Sequence, residues 1–229
     1  MDTAHGVLAG EEIMEDVLGQ LKAGIRRFQT EVYPAQEETY RRAVTEPQSP
    51  RALIVTCADS RIDPELITGS GPGDLFVTRN IGNLVPAYGE MLGGVSAVIE
   101  YAVMALKVKH VVICGHTDCG AMKALLDPES MEGMPTVKSW MRNAAAALSV
   151  ADSLAEKDEK PSEQLSRLTR ENVLLQLQHL RTHPSVAGAM AREELTISGW
   201  VYDIATGDVR ISDDGGRVFR AVTAEGDAA

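Results

Sequence analysis

The sequence is short of basic residues and of long apolar runs, and each shortage excludes a class of function. Its 229 residues contain 22 Lys and Arg against 33 Asp and Glu, which gives a net charge of −11. An acidic surface repels phosphate backbones, so nucleic acid is not an expected partner. The longest apolar run, VSAVIEYAVMALKV, contains Glu100 and falls short of the roughly 20 residues that span a membrane. The acidic N-terminus lacks the basic start of a secretory signal. We therefore predict a cytoplasmic protein with no membrane partner.

Cysteine is also scarce, and its odd count limits its use. The three cysteines lie in two short stretches, VTCADSR and CGHTDCG, and the second stretch also contains a histidine. Three thiols cannot all pair, and a reducing cytoplasm disfavours structural disulfides. A thiol nucleophile would need a base and an oxyanion site, and the sequence marks neither of them. The pattern therefore favours a metal site.

Several short runs predict the strands of a sheet. RALIVTC, DLFVTR and KHVVICGH are continuously apolar, as is typical of strands buried on both faces. The helix-length segment GGVSAVIEYAVMALKV separates the second run from the third, and a strand–helix–strand order indicates a parallel sheet. LTISGWVYDIATGDVRIS predicts two strands around an ATGD turn. We predict an α/β fold with a mostly parallel central sheet flanked by helices, and a C-terminal β-hairpin.

An N-terminal helical arm precedes this sheet. Apolar residues recur at helical spacing at Ile13, Val17, Leu21, Ile25 and Phe28. Such a stripe must pack on the body of the protein or on a second subunit. The polar, proline-rich YPAQEETYRRAVTEPQSP that follows predicts a connecting segment.

The sequence predicts one main domain with two additions. Residues 1–45 form the helical arm, residues 46–220 form the α/β domain that contains both cysteine stretches, and residues 221–229 form a frayed tail.

Three candidate metal ligands follow two of the predicted strands. Cys57 ends the first run, and His116 and Cys119 follow the third. Binding groups gather at the carboxyl ends of parallel strands, and two thiolates with one imidazole suit a tetrahedral zinc ion. His-x-x-Cys spacing lets both side chains reach one ion across a tight turn, to which Gly115 and Gly120 are expected to give freedom.

Cys114 leaves one alternative open. We predict that it is an apolar core residue of its strand. As a fourth ligand it would instead close the site and make the zinc structural, and spacing alone does not exclude this arrangement. Three ligands leave a position open for water, which is the catalytic arrangement.

Asp59 and Arg61 follow the first thiolate by two and four residues. An arginine two residues away can hold a carboxylate bidentately where water is partly excluded, and this lowers the pKa of the carboxylate. A surface ion pair would contribute little. Beside a candidate metal ligand we favour the functional interpretation.

The motifs CADSR, RNIGNLV and CGHTDCGAMK occur in the order and at the separation found in the β-class carbonic anhydrases, and the chain resembles that family. The resemblance covers Gln48 to Lys123 in motif detail, and the helical arm and the GWVYDIATG hairpin are also similar. It implies one catalytic Zn²⁺ per chain, held by Cys57, His116 and Cys119. It also implies a catalytic Asp59–Arg61 pair, and a homodimer or higher even oligomer in which the arm packs on the partner.

Further matches resemble the plant-type branch, in which the fourth zinc position is an open water. In other members the aspartate of the pair moves onto the metal. The branch implies that substrate is bound by Gln48, Phe76 and Tyr101, and we hypothesise that the amide of Gly120 also donates a hydrogen bond to it. Without the motif context, Phe76 and Tyr101 would be interpreted as packing residues and Gln48 as a solvated loop residue. Ala121, where many relatives have a second glycine, departs from the pattern, as does a loop one residue shorter after PAYG.

The resemblance implies zinc-dependent, reversible hydration of CO2 to bicarbonate and a proton, by attack of zinc-bound hydroxide. We hypothesise that Asp59, held by Arg61, accepts the proton of that hydroxide. One alternative is a related zinc hydrolase that acts on CS2 or COS. The other is a non-catalytic protein with a structural zinc. None of the remaining histidines is marked as a proton shuttle, and each is interpreted as a surface or packing residue: His5, His110, His179 and His183.

Overall fold

The computed structural model describes residues 5–89, 93–213 and 215–223, with side chains described from Asp16 onward. The chain divides into two compact units, Met1–Gln48 and Ser49–Ala229. The roles predicted for the arm, the catalytic domain and the tail stay predictions. Among the described residues, no helix combines the length and apolar character needed to cross a membrane.

The N-terminal unit is helical throughout most of its described length. It contains α1 (His5–Arg27), α2 (Tyr33–Ala35) and α3 (Glu37–Thr45), with a π-helical turn over Phe28–Val32 between α1 and α2. The predicted connecting segment is therefore wrong for Tyr33–Thr45. Pro34 lies in the first turn of α2, where no amide donor is needed, and Glu37 and Glu38 favour the start of α3.

Three aromatic rings hold the corner of this unit. Tyr33 and Tyr40 stack with their ring centroids 5.2 Å apart, and Phe28 meets both rings edge-on at 6.1 and 5.9 Å. Such pairs stabilise a fold beyond simple area burial. The segment folds back because its aromatic residues, widely spaced in sequence, meet in one cluster.

The apolar stripe of α1 stays exposed. Val17 and Leu18 are each 51% exposed, Leu21 is 61% exposed and Ile25 is 57% exposed. At 3.6 residues per turn these four side chains lie on one side of the helix. The side chain of Ile13, also predicted for this stripe, lies outside the described residues.

The larger unit is built on a six-stranded sheet. Its strands are β1 (Ala52–Cys57), β2 (Leu75–Asn80), β3 (His110–His116), β4 (Thr196–Tyr202), β5 (Val209–Ser212) and β6 (Arg220–Ala221). Their order is β2-β1-β3-β4-β5-β6. The four strands β2, β1, β3 and β4 are parallel, and β5 and β6 are antiparallel additions at one edge. The predicted fold class is confirmed.

Helices follow the strands of this unit. They are α4 (Pro64–Thr68), α5 (Gly94–Glu100), α6 (Gly120–Leu126), α7 (Pro135–Trp140), α8 (Ala145–Ser153), α9 (Pro161–Arg181) and α10 (Pro184–Ala191). The predicted crossover helix between β2 and β3 is α5, which continues as a π-helical turn over Tyr101–Ala105.

The long helix α9 packs closely on the sheet. A Cβ at Gly115 would lie 2.7 Å from one methyl of Val173, and a Cβ at Gly199 would lie 2.6 Å from the other. These two glycines, on neighbouring strands, therefore let the helix approach. The expectation that Gly115 gives freedom to a turn is wrong, because Gly115 lies inside β3 and its role is to leave room for Val173.

Candidate metal centre

Three ligand-bearing side chains meet at the carboxyl ends of two neighbouring strands. Cys57 is the last residue of β1 and His116 is the last residue of the adjacent parallel strand β3. Cys119 directly precedes α6. One ligand atom from each of the three lies within 4.8 Å of the others, and all three residues are buried. The sheet therefore brings together the trio that the sequence predicted.

The imidazole of His116 is oriented by its own backbone neighbour. Its Nδ1 lies 2.8 Å from the carbonyl oxygen of Thr117. A carbonyl only accepts hydrogen bonds, so Nδ1 carries the proton and the lone pair is on Nε2. Nε2 is buried and has no hydrogen-bond partner among the described residues. A buried basic nitrogen without a partner is costly unless it binds something.

The two sulfur atoms differ in their affinity for a proton. The Cys119 thiol donates to Cys57 and, with two backbone amides, lowers the pKa of Cys57 to about 4. The adjacent Cys57 sulfur and burial raise the pKa of Cys119. A divalent cation between the two sulfurs removes this conflict, because it stabilises both thiolates at once.

The turns around the sulfurs need unusual backbone conformations. Asp118, between His116 and Cys119, has a φ of +59°, so it is Asp118 that adopts the left-handed conformation in this turn. Gly82 has a φ of +77°, and its amide donates to the Cys57 sulfur. A Cβ at Gly82 would lie 3.1 Å from the Cβ of Ala121. Gly82 in RNIGNLV is therefore required both for its conformation and for its close packing.

Asp59 and Arg61 form the expected pair. Asp59 Oδ1 accepts hydrogen bonds from the amide of Arg61 at 3.0 Å and from its Nε at 2.9 Å, and Oδ2 accepts from its Nη2 at 2.8 Å. The guanidinium of Arg61 holds the pKa of Asp59 well below its usual range, as predicted. Oδ2 lies 3.9 Å from Nε2 of His116. Oδ2, which accepts only one of the three hydrogen bonds from Arg61, therefore faces the ligand cluster.

Sequence reasoning missed residues that brace this pair. Arg61 Nη1 donates to Asp118 Oδ2 at 3.0 Å, and Lys123 also pairs with Asp118. Arg79 donates to the backbone carbonyls of Cys57 at 3.2 Å and of Asp59 at 2.6 Å. A signal for Asp118 was present: an acidic residue inside HTDCG with a lysine five residues later. Arg79 carried no local signal, since it reaches across from β2.

Cys114 lies outside the ligand group. It is a buried core residue that packs with Ile54 and Val112, and its thiol donates to the Gly115 carbonyl at 3.6 Å. Burial raises its pKa to about 12. The prediction of an apolar core residue is confirmed, and a closed four-ligand site finds no support in this geometry.

The predicted substrate residues are dispersed. The rings of Phe76 and Tyr101 are in contact, with centroids 6.0 Å apart. Phe76 pairs with Leu53, four residues before Cys57. Strand geometry therefore places Phe76 about 13 Å along the sheet from the edge that carries the candidate ligands, which we call the metal edge. Gly120 is the first residue of α6, beside Cys119. Gln48 is exposed at the end of the N-terminal unit. Their substrate roles stay predictions.

Three of the other histidines make packing contacts. His179 Nδ1 bonds the Val85 carbonyl at 2.8 Å, and His183 Nε2 bonds the Pro86 carbonyl at 3.1 Å. The two ring nitrogens of His110 bond the hydroxyls of Thr196 and Ser198 at 2.6 and 2.7 Å. The side chain of His5 lies outside the described residues.

Comparisons with known proteins identify the family of this chain. Residues 52–209 match the family model described as carbonic anhydrase. A carbonic anhydrase of Pseudomonas aeruginosa is 44% identical over 196 residues, which cover 86% of this chain and 88% of that protein. The solved β-carbonic anhydrase CcaA superposes with a TM-score of 0.83 at 34% identity and covers 93% of this chain and 95% of that one. Tetrameric β-carbonic anhydrases of Sordaria macrospora include a chain that superposes at 0.65 with 27% identity, covering 88% and 96%.

Proposed function

This chain belongs to the β-carbonic anhydrase family, and we propose that it hydrates CO2 reversibly to bicarbonate and a proton with one zinc ion per chain. Membership of the family supports carbonic anhydrase activity. The metal, the roles of the site residues and the mechanism are our proposal, and the orientation of Asp59 Oδ2 towards His116 Nε2 is the observation that carries it.

The donor set fits zinc. Two sulfurs and one nitrogen are the ligands that zinc prefers, and bonds of about 2.0–2.3 Å keep tetrahedral ligand atoms roughly 3.5 Å apart. The three ligand atoms already lie within 4.8 Å of one another, so small movements bring them onto one ion. The buried, unpartnered Nε2 of His116 supports the same assignment. Three protein ligands leave one position for water.

Zinc, when bound, supplies Lewis acidity that makes water acidic enough to provide hydroxide near neutral pH. Asp59 Oδ2 accepts the hydrogen of the attacking hydroxide and so turns an oxygen lone pair towards the carbon of CO2. Arg61 keeps Asp59 ionised and fixed, because three of its N–H groups donate to the carboxylate. Arg79 holds the backbone of the same loop.

In the forward reaction one bond forms between the oxygen of water and the carbon of CO2. One carbon–oxygen π bond breaks, and its electron pair remains on an oxygen of bicarbonate. One proton of the water stays on bicarbonate and the other passes to buffer. The amide of Gly120 and the side chain of Gln48 are proposed donors to the oxygen that becomes negative.

The substrate pocket is proposed to form between two subunits of a homodimer or a higher even oligomer. Phe76 and Tyr101 would offer a dry apolar surface for CO2, and Tyr101 is 50% exposed. Their position away from the metal edge of their own chain supports a role at the metal centre of a partner. The exposed stripe on α1 supports association as well.

The test of this function is Asp59→Asn. This variant replaces the accepting carboxylate oxygen by an amide nitrogen, which only donates hydrogen bonds. The kcat of CO2 hydration should therefore fall by about 100-fold or more while zinc stays at one per chain. Stopped-flow assays from pH 6.5 to 9, with metal content measured on the same samples, check this. Asp152→Asn, at an exposed position on α8, is the matched control and should behave as the parent protein.

Three results would contradict the proposal. Parent-like turnover in Asp59→Asn would remove the role given to this carboxylate. One zinc per chain with no hydration at any pH would favour a structural metal. Hydrolysis of CS2 or COS that exceeds CO2 hydration would identify the related hydrolase. The cytoplasmic location stays a prediction.

A further inference from the structure

A cavity lies beside the C-terminal strands, outside the metal centre. Its volume is about 470 Å³, within the range of about 300–1,000 Å³ that is usual for small-molecule sites. Parts of β4, β5 and α9 enclose it. The side chains that matter for its chemistry are Thr117, Ser166, Arg170, Asp203, Asp208 and Arg210.

Two of the three arginines that line this cavity have no anionic partner among the described residues. Arg170 Nη1 donates to the hydroxyl of Ser166 at 2.9 Å, and no carboxylate within the described residues forms an ion pair with it. The guanidinium of Arg210, a residue of β5, has no hydrogen-bond or ion-pair partner in the part of the chain that the structure describes. A third lining residue, Arg217, pairs with Glu171. In a chain with 33 acidic and 22 basic residues, two guanidiniums without carboxylates at one cavity are unexpected.

Acceptor groups line the same cavity. Asp203 Oδ1 accepts from the amide of Ala205 at 2.9 Å and from the hydroxyl of Thr117 at 3.3 Å. Asp208 lies two residues before Arg210, and its carboxylate has no partner among the described residues. The backbone fixes both aspartates, because the Asp203 amide donates to the Asp208 carbonyl at 2.8 Å. Because the two unpaired arginines and the two aspartates of the cavity form no ion pairs with each other, both kinds of group are available to a ligand.

We propose that this cavity binds a small organic anion that also carries hydroxyl or ammonium donors, with its phosphate or carboxylate on Arg170 and Arg210 and its donors on Asp203 and Asp208. A planar guanidinium recognises either anion through two parallel hydrogen bonds. The carboxylates select against inorganic anions, which bring charge but few donors, and against neutral polyols, which bring donors but no charge.

The site is separate from the metal centre but adjacent to it. Thr117 connects the two: its hydroxyl contacts Asp203, and its carbonyl accepts the hydrogen bond from His116 Nδ1. None of the three candidate metal ligands lines the cavity. Binding at this site is therefore measurable apart from catalysis.

The test is calorimetric titration of the zinc-loaded, full-length protein at low ionic strength. The probes are glycerol 3-phosphate, glycerate, inorganic phosphate and glycerol. We expect saturable binding of one of the first two, at least about tenfold tighter than binding of phosphate or glycerol. The tighter of the two identifies the anionic group as phosphate or carboxylate.

Variants locate the site. Arg170→Gln and Arg210→Gln should each weaken binding by at least about tenfold. Asp208→Asn should weaken binding of the preferred probe without weakening that of inorganic phosphate. Arg192→Gln removes the same charge from an exposed arginine that pairs with Glu194, and binding should not change. Circular dichroism and unchanged zinc content show that each variant is folded.

Two outcomes would overturn the proposal. One is the absence of saturable binding of all four probes up to 10 mM, which is about the weakest binding that calorimetry resolves. The other is binding that Arg170→Gln and Arg210→Gln leave unchanged, because the anion then binds elsewhere, for example at the metal centre.

Discussion

The metal edge of the sheet and the N-terminal arm differ in how completely their side chains are buried and hydrogen-bonded. At the metal edge the candidate ligands are buried, and Asp59 receives three hydrogen bonds from Arg61. On the arm, Leu21 and Ile25 are more than half exposed although both are strongly apolar. The first region is organised within one chain, whereas the second leaves apolar surface uncovered.

This difference separates what one chain provides from what an assembly provides. Burying a leucine or isoleucine side chain completely stabilises a protein by about 1.5–3 kcal/mol, so the exposed stripe represents a large unused contribution. Substitutions on the arm should therefore leave the ligand geometry unchanged, and substitutions of the candidate ligands should leave association unchanged.

The largest expected effect separates two cysteines of the larger unit. Cys57→Ala removes one of the three ligands, so zinc content should fall from one per chain to near zero, and CO2 hydration should fall to the uncatalysed rate. Metal analysis and stopped-flow kinetics on the same samples check this.

Cys114→Ala is the matched control, because it removes a buried thiol outside the ligand group. It should keep its zinc and most of its activity. Loss of zinc from Cys114→Ala would mean that this thiol is a ligand after all.

The second prediction concerns the arm. The double variant Leu21→Glu, Ile25→Glu places two charges on the exposed stripe and should convert the expected oligomer into monomers, because buried charges oppose association. Light scattering after size-exclusion chromatography measures the mass. Zinc content should stay the same.

Gly19→Glu, Ala23→Glu adds the same two charges at the same spacing on the other side of the helix. It should leave the mass unchanged. If both double variants dissociate, net charge rather than the stripe governs association. If neither dissociates, the arm is not part of the interface.

The third effect is smaller and lies at the exposed margin of the metal edge. Asp118→Asn removes one of the two carboxylates that hold Arg61, while Asp59 keeps its own contacts. We expect kcat to fall by about two- to fivefold with KM and zinc content unchanged, since exposed ion pairs contribute about 1 kcal/mol or less. Asp127→Asn, also exposed, is the control. A fall in zinc content would show instead that Asp118 supports the ligand turn.

The smallest effect is a pH dependence of stability in the larger unit. Burial lowers the pKa of His183 and of His110 below the ordinary value of about 6.5. Below that pH the unfolded chain binds protons that the folded chain does not bind. Stability should therefore be full above about pH 7.5 and should fall as the pH drops below 6.5. One proton contributes a slope of at most about 1.4 kcal/mol per pH unit.

Urea unfolding at pH 7.5, 6.5 and 5.5 measures this slope. His183→Gln should flatten it relative to the parent protein, whereas zinc loss, which also occurs in acid, affects both proteins equally. An equal slope in the two proteins would assign the acid sensitivity to other groups.

Much of the fold and of the ligand trio followed from local pattern. Continuous apolar runs marked the parallel strands, and the carboxyl ends of two of these runs carried Cys57 and His116. Strand order at a sheet edge makes such neighbours predictable, because adjacent parallel strands end at the same side. The Asp59–Arg61 pair was predictable for the same reason, since both residues lie in one short loop.

The features that escaped prediction depend on contacts between distant segments. Arg79 supports the Cys57 loop from another strand, and Val173 explains Gly115 from a helix almost sixty residues later. The stacking of Tyr40 on Tyr33 lies in a segment that the sequence predicted to be a connection and that is helical in the structure. Local composition gives no information about contacts between segments that are distant in sequence.

The contact between α9 and the sheet also sets a dimension of the molecule. Beside Val173, Asn172 donates to the Gly82 carbonyl at 3.1 Å, and one turn later Gln176 accepts from the Val85 amide at 2.8 Å. Gly115 and Gly199, which have no Cβ, let the helix lie close to β3 and β4. This separation in turn positions the loop that carries the Gly82 amide next to the Cys57 sulfur. Residues of α9 that are not candidate ligands therefore help to position the Gly82 amide at the Cys57 sulfur.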